Sequence, residues 1–201
     1  MAIINDIIPV QNFEIVRDVI GAILKDELEN QKVLQPLRFT EDINVFTART
    51  TPFQQAEILM INVSCDNANY NAKTQSNSQG GVNYNIDVFS SAKETANFNG
   101  GLNSAMRRDK YNGAIRYILS NTRYKTLNLP LGVIMGTSIE SFENFEVPNS
   151  LDTSFSQMCR ITFNVRMTEN QSLWDGVSVK DLYTNVKIDL TTNGYQLIKE
   201  F

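Results

Sequence analysis

The sequence predicts an α+β fold: a mostly antiparallel sheet with two helices packed on one face, plus a C-terminal β-hairpin. Three observations carry this. Residues 153–168 alternate with period two. Phe155, Gln157, Cys159, Ile161, Phe163, Val165 and Met167 fall on one side. Ser154, Ser156, Arg160, Thr162, Asn164 and Arg166 fall on the other, where Met158 is the only large apolar residue. No helix sorts these residues into two faces, so the stretch reads as a long strand with one side on a core. Two further stretches, 12–30 and 102–121, repeat apolar residues at helical spacing. The resulting order is helix, three strands, helix, two strands, which builds a mostly antiparallel sheet with helices on one face.

The first helix, 12–30, places Phe13, Val16, Ile20, Ile23, Leu24 and Leu28 on one stripe. Asn12 is its expected N-cap. Gly21 inside it costs about 1 kcal/mol against Ala and points to close packing there. Pro36 falls in the linker that follows. A first strand is expected over 43–50, closed by Thr51-Pro52. A second, 56–65, holds Ile58-Leu59-Met60-Ile61 and reads as buried on both faces, hence central. Asp66 to Gly81 is rich in Asn, Gln, Ser and Gly, ending in Gly80-Gly81; it has almost nothing to bury and reads as a mobile loop. Alternation resumes over 82–90, so the two strands and the loop form a long-tipped hairpin.

Gly100-Gly101 breaks the chain before the second helix, 102–121, whose stripe is Tyr111, Ala114, Ile115, Ile118 and Leu119. A loop over 122–130 leads to a fourth strand, 132–145, and Pro148-Asn149-Ser150 turns it into the alternating strand. Beyond Thr168 the character changes. Residues 182–190 alternate, Thr191-Thr192-Asn193-Gly194 is a hairpin turn signal, and 195–201 returns. The expected organisation is therefore an α+β domain over 1–168 and an extension over 169–201, acting as an arm or as part of the same domain. A two-stranded ribbon is marginal alone, so it has to pack on this domain or on another chain.

Composition narrows the chemistry. The chain has 201 residues, enough for one domain with a real core, and 42% of them are hydrophobic. Net charge is −4 and the sequence pI is about 4.9, which argues against a surface that grips phosphates. There is no His, so the commonest general acid–base residue and a frequent metal ligand are missing. Cys65 and Cys159 sit in strand-like apolar runs and read as buried free thiols. The start lacks a basic n-region, and no run approaches a membrane span, so assembly in the cytoplasm is expected. Neither an internal repeat nor a glycine-rich phosphate fingerprint is found.

Several residues are candidates for function. Glu140, Glu143 and Glu146 follow one another on a strand and its end; a plain solvated face accounts for them better than an acid/base or metal pair. Arg107, Arg108 and Lys110 cluster near a helix start, where cations oppose the dipole. An inter-subunit salt bridge or a solvated turn fits them better than a phosphate contact. The Asp66–Gly81 loop is either ordered only in an assembly or idle surface. Trp174 is either an interface anchor or packing beneath the hairpin. Tyr183 and Tyr195, on the ribbon strands, join it as candidate contacts with another subunit or a tube. No nucleophile is paired with a base, so no catalytic, cofactor or metal residues are assigned.

The element order resembles that of the tail terminator (tail-completion) proteins of long-tailed bacteriophages. The resemblance is carried by NFEIVRDVIGAILKDEL, AEILMINVSC…VNYNIDVFSSA, LNSAMRRDKYNGAIRYILSN, GVIMGTSIESFENFEV and SFSQMCRITFNVRM, spanning about residues 8–168. The polar loop and the extension after Thr168 depart from the family's more compact form. The resemblance implies a non-enzymatic virion protein at the neck end of the tail: a homohexameric ring that caps the tail tube, ends its polymerisation and meets a head-completion or connector protein. DNA would pass through the lumen without specific binding, and no membrane or cofactor is implied. An acidic balance suits such a channel, since like charge prevents capture. A neck or head–tail connector protein, or a tube cap of a contractile injection system, is the alternative. A small ligand-binding or enzymatic domain is the rival from another class.

Overall fold

The computed structural model describes residues 7, 8, 10–51, 53, 57–72, 77–96, 99–146, 154–170, 186–191 and 194–199. Among them run two helices, α1 (Asn12–Leu34) and α2 (Gly100–Leu119). The strands are β1 (Val45–Thr47), β2 (Leu59–Ala72), β3 (Asn77–Lys93), β4 (Ile134–Glu146), β5 (Ser154–Asn170), β6 (Val186–Thr191) and β7 (Gly194–Lys199). The chain divides into two units, Met1–Gln171 and Ser172–Phe201. The first holds a five-stranded sheet in the order β1-β2-β3-β5-β4, antiparallel except for the parallel pair β1–β2. The second holds the antiparallel pair β6–β7.

β5 is the alternating strand, and its alternation sorts as expected. It pairs with β3 along its full length, from Lys93↔Ser154 to Asn77↔Asn170, without a register shift, and with β4 on its other side. Cys159, Ile161, Phe163, Val165 and Met167 are buried beside Val82, Tyr84, Ile86 and Val88 of β3. Phe155, at the strand's start, is partly exposed. These side chains meet Val16, Ile20, Leu24 and Leu28 of α1 and Tyr111, Ile115, Ile118 and Leu119 of α2 in one core. Each large aliphatic or aromatic side chain taken fully out of water there contributes about 1.5–3 kcal/mol. α1 lies over β1 and β2, and α2 over β3 and β5. Gly21 permits the first of these contacts, because a Cβ there would sit 2.7 Å from Thr47 Cγ2.

Both helices start on carboxylates from elsewhere in the chain. Asn12 is not the cap of α1. The N-cap is Gln11, whose side chain makes no capping bond. Glu169, almost fully buried at the end of β5, accepts from Asn12 N at 3.0 Å and Phe13 N at 2.8 Å. A carboxylate there satisfies two orphan donors and suits the helix dipole. Asn12 Nδ2 instead donates to Thr168 O at 2.6 Å, stitching the helix start to the same strand end. Glu169 and Asn170 therefore belong to the sheet, not to the extension in which the sequence placed them. For α2, Asn99 Oδ1 accepts from Leu102 N and a Glu94 carboxylate oxygen accepts from Gly100 N. Gly100-Gly101 opens the helix and does not break the chain before it.

The largest correction concerns Asp66 to Gly81. β2 runs on to Ala72 and β3 starts at Asn77, so most of the expected loop is paired strand. Asp66 falls at the register shift between Cys65 and Asn67; Gly80 pairs with Tyr70 and Gly81 with Asn69. Polar side chains do not prevent a ladder whose bonds are made by backbone, and β5 supports this part of β3 from its other side. The half-buried Tyr70 packs against the core here. β1 is shorter than expected, and α1 runs four residues past 30, until Pro36 removes the next donor. The Pro148 turn, residues 182–185 and the turn at 192–193 lie outside the described residues.

Gly80 is required by this pairing. A Cβ would meet the Asn69 carbonyl and lie 2.7 Å from Tyr70 Cα, both backbone atoms that cannot step aside. Gly80→Ala is expected to destabilise the fold by about 1–3 kcal/mol. Denaturant unfolding monitored by circular dichroism measures it; an unchanged midpoint would mean that this stretch is a loop after all.

Candidate functional site

Arg107, Arg108 and Lys110 lie in the middle of α2, and all three are used within the chain. Arg107 Nε reaches Glu41 Oε1 at 2.8 Å, and its Nη1 donates to Ser91 O at 2.6 Å. Lys110 Nζ reaches Glu41 Oε2 at 2.7 Å and Arg38 O at 2.8 Å, and Tyr111 Oη adds a bond to the same carboxylate oxygen. Arg108, nearly buried, spans Asp109 and Gln157 Oε1. The reading of these cations as an inter-subunit bridge or a solvated turn is therefore corrected. Arg107 and Lys110 pin the segment after α1 onto α2 and the end of β3, and Arg108 ties α2 to β5. Burial alone would raise the Glu41 pKa, but the bonds from Lys110 and Arg107 outweigh it and bring it down to about 2. An open groove of about 1030 Å³ lies over this cluster, with Ile58 and Met106 exposed along it.

Glu140 and Glu143 lie exposed on β4, the outermost strand beyond β5. They are separated by a register shift at Ile139/Ser141, so they do not form a regular pair. Glu143 stands opposite Arg160, which in turn stands opposite Asp87. Arg160 grips Asp87 through two bonds of 2.7 and 2.8 Å. With Asn83 and Asn164, which bond at 2.6 Å, this row gives the sheet face away from the helices an amide-and-paired-charge character. On the helix side of β4, Ile139 and Phe142 line a cleft of about 420 Å³ with Arg116 and Ser120 of the α2 end. Phe142 is 49% exposed, Met135 46% and Phe145 40%. Alternation along 132–145 held the signal for these residues, but the β4 bulges shift its phase and the sequence reading passed over them.

Trp174 and Tyr183 lie outside the described residues. Tyr195 is on β7, opposite Leu190. Cys65 and Cys159 are free thiols; burial pushes Cys159 up to about 11 and raises Cys65 as well, which suits packing and not nucleophilic attack. Among the described residues, no group of three or more Cys, Asp or Glu is placed to hold a metal ion, and no helix is long and apolar enough to cross a membrane.

No family model matches the chain, and no curated protein matches it either. Among solved structures it is similar to a chain of one described as the virion of native gene transfer agent (GTA) particle. The identity is 18% and the TM-score 0.42, over 75% of this chain and 94% of that one.

The Glu41 cluster makes a stability prediction. A carboxyl held below its ordinary value of 4.5 stabilises the fold fully above that value. The contribution is lost as pH falls from there through about 2. Glu41→Gln is expected to cost about 2 kcal/mol at pH 7 and to flatten the acid limb of the stability curve. Urea unfolding at pH 7 and pH 3 checks both; an equal loss at both values would remove the charge from the explanation.

Proposed function

We propose that the chain is a structural virion protein without catalysis, forming a homo-oligomeric ring that caps a phage tail tube. In this role it ends tube polymerisation and presents the surface for head joining. The observation that carries the reading is β4: a strand of thirteen residues on the outside of the sheet, with Met135, Phe142 and Phe145 exposed along it. A long outer strand offers unpaired backbone groups, and the exposed apolar side chains along it offer apolar area, to another chain. A contact between two different surfaces of identical copies closes into a ring when its rotation permits.

The resemblance of the element order to tail terminators is what suggests this particular assembly. The low pI and the paired Asp87–Arg160 row favour a surface past which DNA slides without being held. Partners in this reading are other copies, the tail tube protein and a head-completion or connector protein.

Light scattering of the purified chain is the direct test. The expected mass is several times 22.7 kDa. A strict monomer that does not bind tube ends would overturn the reading. In a phage lacking the protein, over-long tubes are expected; heads and tails of normal length left unjoined would instead indicate a connector.

A further inference from the structure

We propose that the outer edge of β4 accepts strand β7 of a second copy, so that the ribbon of one chain extends the five-stranded sheet of the next. This rests on the reading of the chain as ring-forming. The argument starts from the edge. β4 presents a row of backbone donors and acceptors beyond which the described residues place no strand. Such a row is completed by β-strand addition.

Among the described residues of a second copy the candidate donors are few. The other edge of the same sheet is β1, only three residues long and shorter than either ribbon strand. Pairing β4 with the β4 of a second copy would be isologous and would stop at a dimer. It would also bring together two strands that each carry Glu140, Glu143 and Glu146 and no Lys or Arg. Like charges across a strand pair are destabilising. β6 and β7 are each six residues long. A two-stranded ribbon is marginal by itself and gains a third strand by docking on an edge. Of the two, β6 carries Lys187 and Asp189, whereas β7 (GYQLIK) carries Lys199 and no acid. β7 thus brings one cation and no further negative charge to the acidic β4. The contact uses two different surfaces, so successive copies continue it until a ring closes.

The test uses the full chain. Leu197→Pro removes a ladder donor from β7 and is expected to weaken self-association about a hundredfold, read by light scattering over a dilution series. The α-helical circular dichroism signal should be retained. An unchanged oligomer mass in this variant overturns the β7 assignment and leaves the ring reading standing, whereas a monomeric parent chain overturns the ring reading itself. Should the variant be insoluble, amide hydrogen exchange of the parent chain decides. Residues 134–146 and 194–199 are expected to gain protection together as the chain assembles. Protection of 134–146 alone, or of neither stretch, overturns the proposal.

Discussion

The unbroken register between β3 and β5 governs the rest of the structure. It sets Val82, Tyr84, Ile86 and Val88 beside Cys159, Ile161, Phe163 and Val165 on a single face. A slip of one residue would turn one strand's set away from the helices and bring either Asn83, Asn85 and Asp87 or Arg160 and Asn164 inward. Helix positions follow from this face. α1 settles where Gly21 lets it approach β1, and α2 where Tyr111, Ile115 and Ile118 reach the buried rows of β3 and β5. β4 pairs with β5 alone, and its Ile134 joins the same core.

Charge is distributed to serve the same frame. Glu169 and Glu41 turn inward to a helix start and a cation pair, while the exposed Glu94 accepts from the first residue of α2. Asp87 is gripped by Arg160 on the far face. Breaking such a buried or half-buried partner leaves the other group desolvated, which costs more than the pair itself contributes. The acids of β4 at positions 140 and 143 remain exposed. The surplus negative charge of the chain is therefore partly displayed along its outermost strand.

Much of the fold was legible because its signals are local and periodic. The alternation of β5 follows from side chains pointing to opposite faces at successive residues, and the stripe of α1 from 3.6 residues per turn. Gly21 was legible as close packing because a helix interior otherwise disfavours glycine. The misread parts depend on distant partners. The Asn-rich ends of β2 and β3 bury little, and only the opposing strands make them regular. The capping of α1 by Glu169 links positions 157 residues apart and leaves no pattern around Asn12. The Arg107–Lys110 run looked like a surface feature because Glu41, its partner, sits in an unremarkable linker. The phase shifts in β4 concealed Phe142 in the same way.

The bond from Asn12 Nδ2 to Thr168 O brings the two chain ends of the sheet unit together. Adjacent termini are the condition under which a domain tolerates circular permutation. A rewired polypeptide in which residue 170 runs through a brief linker into residue 11, with new ends opened on a surface connection, would preserve every strand pairing of the sheet.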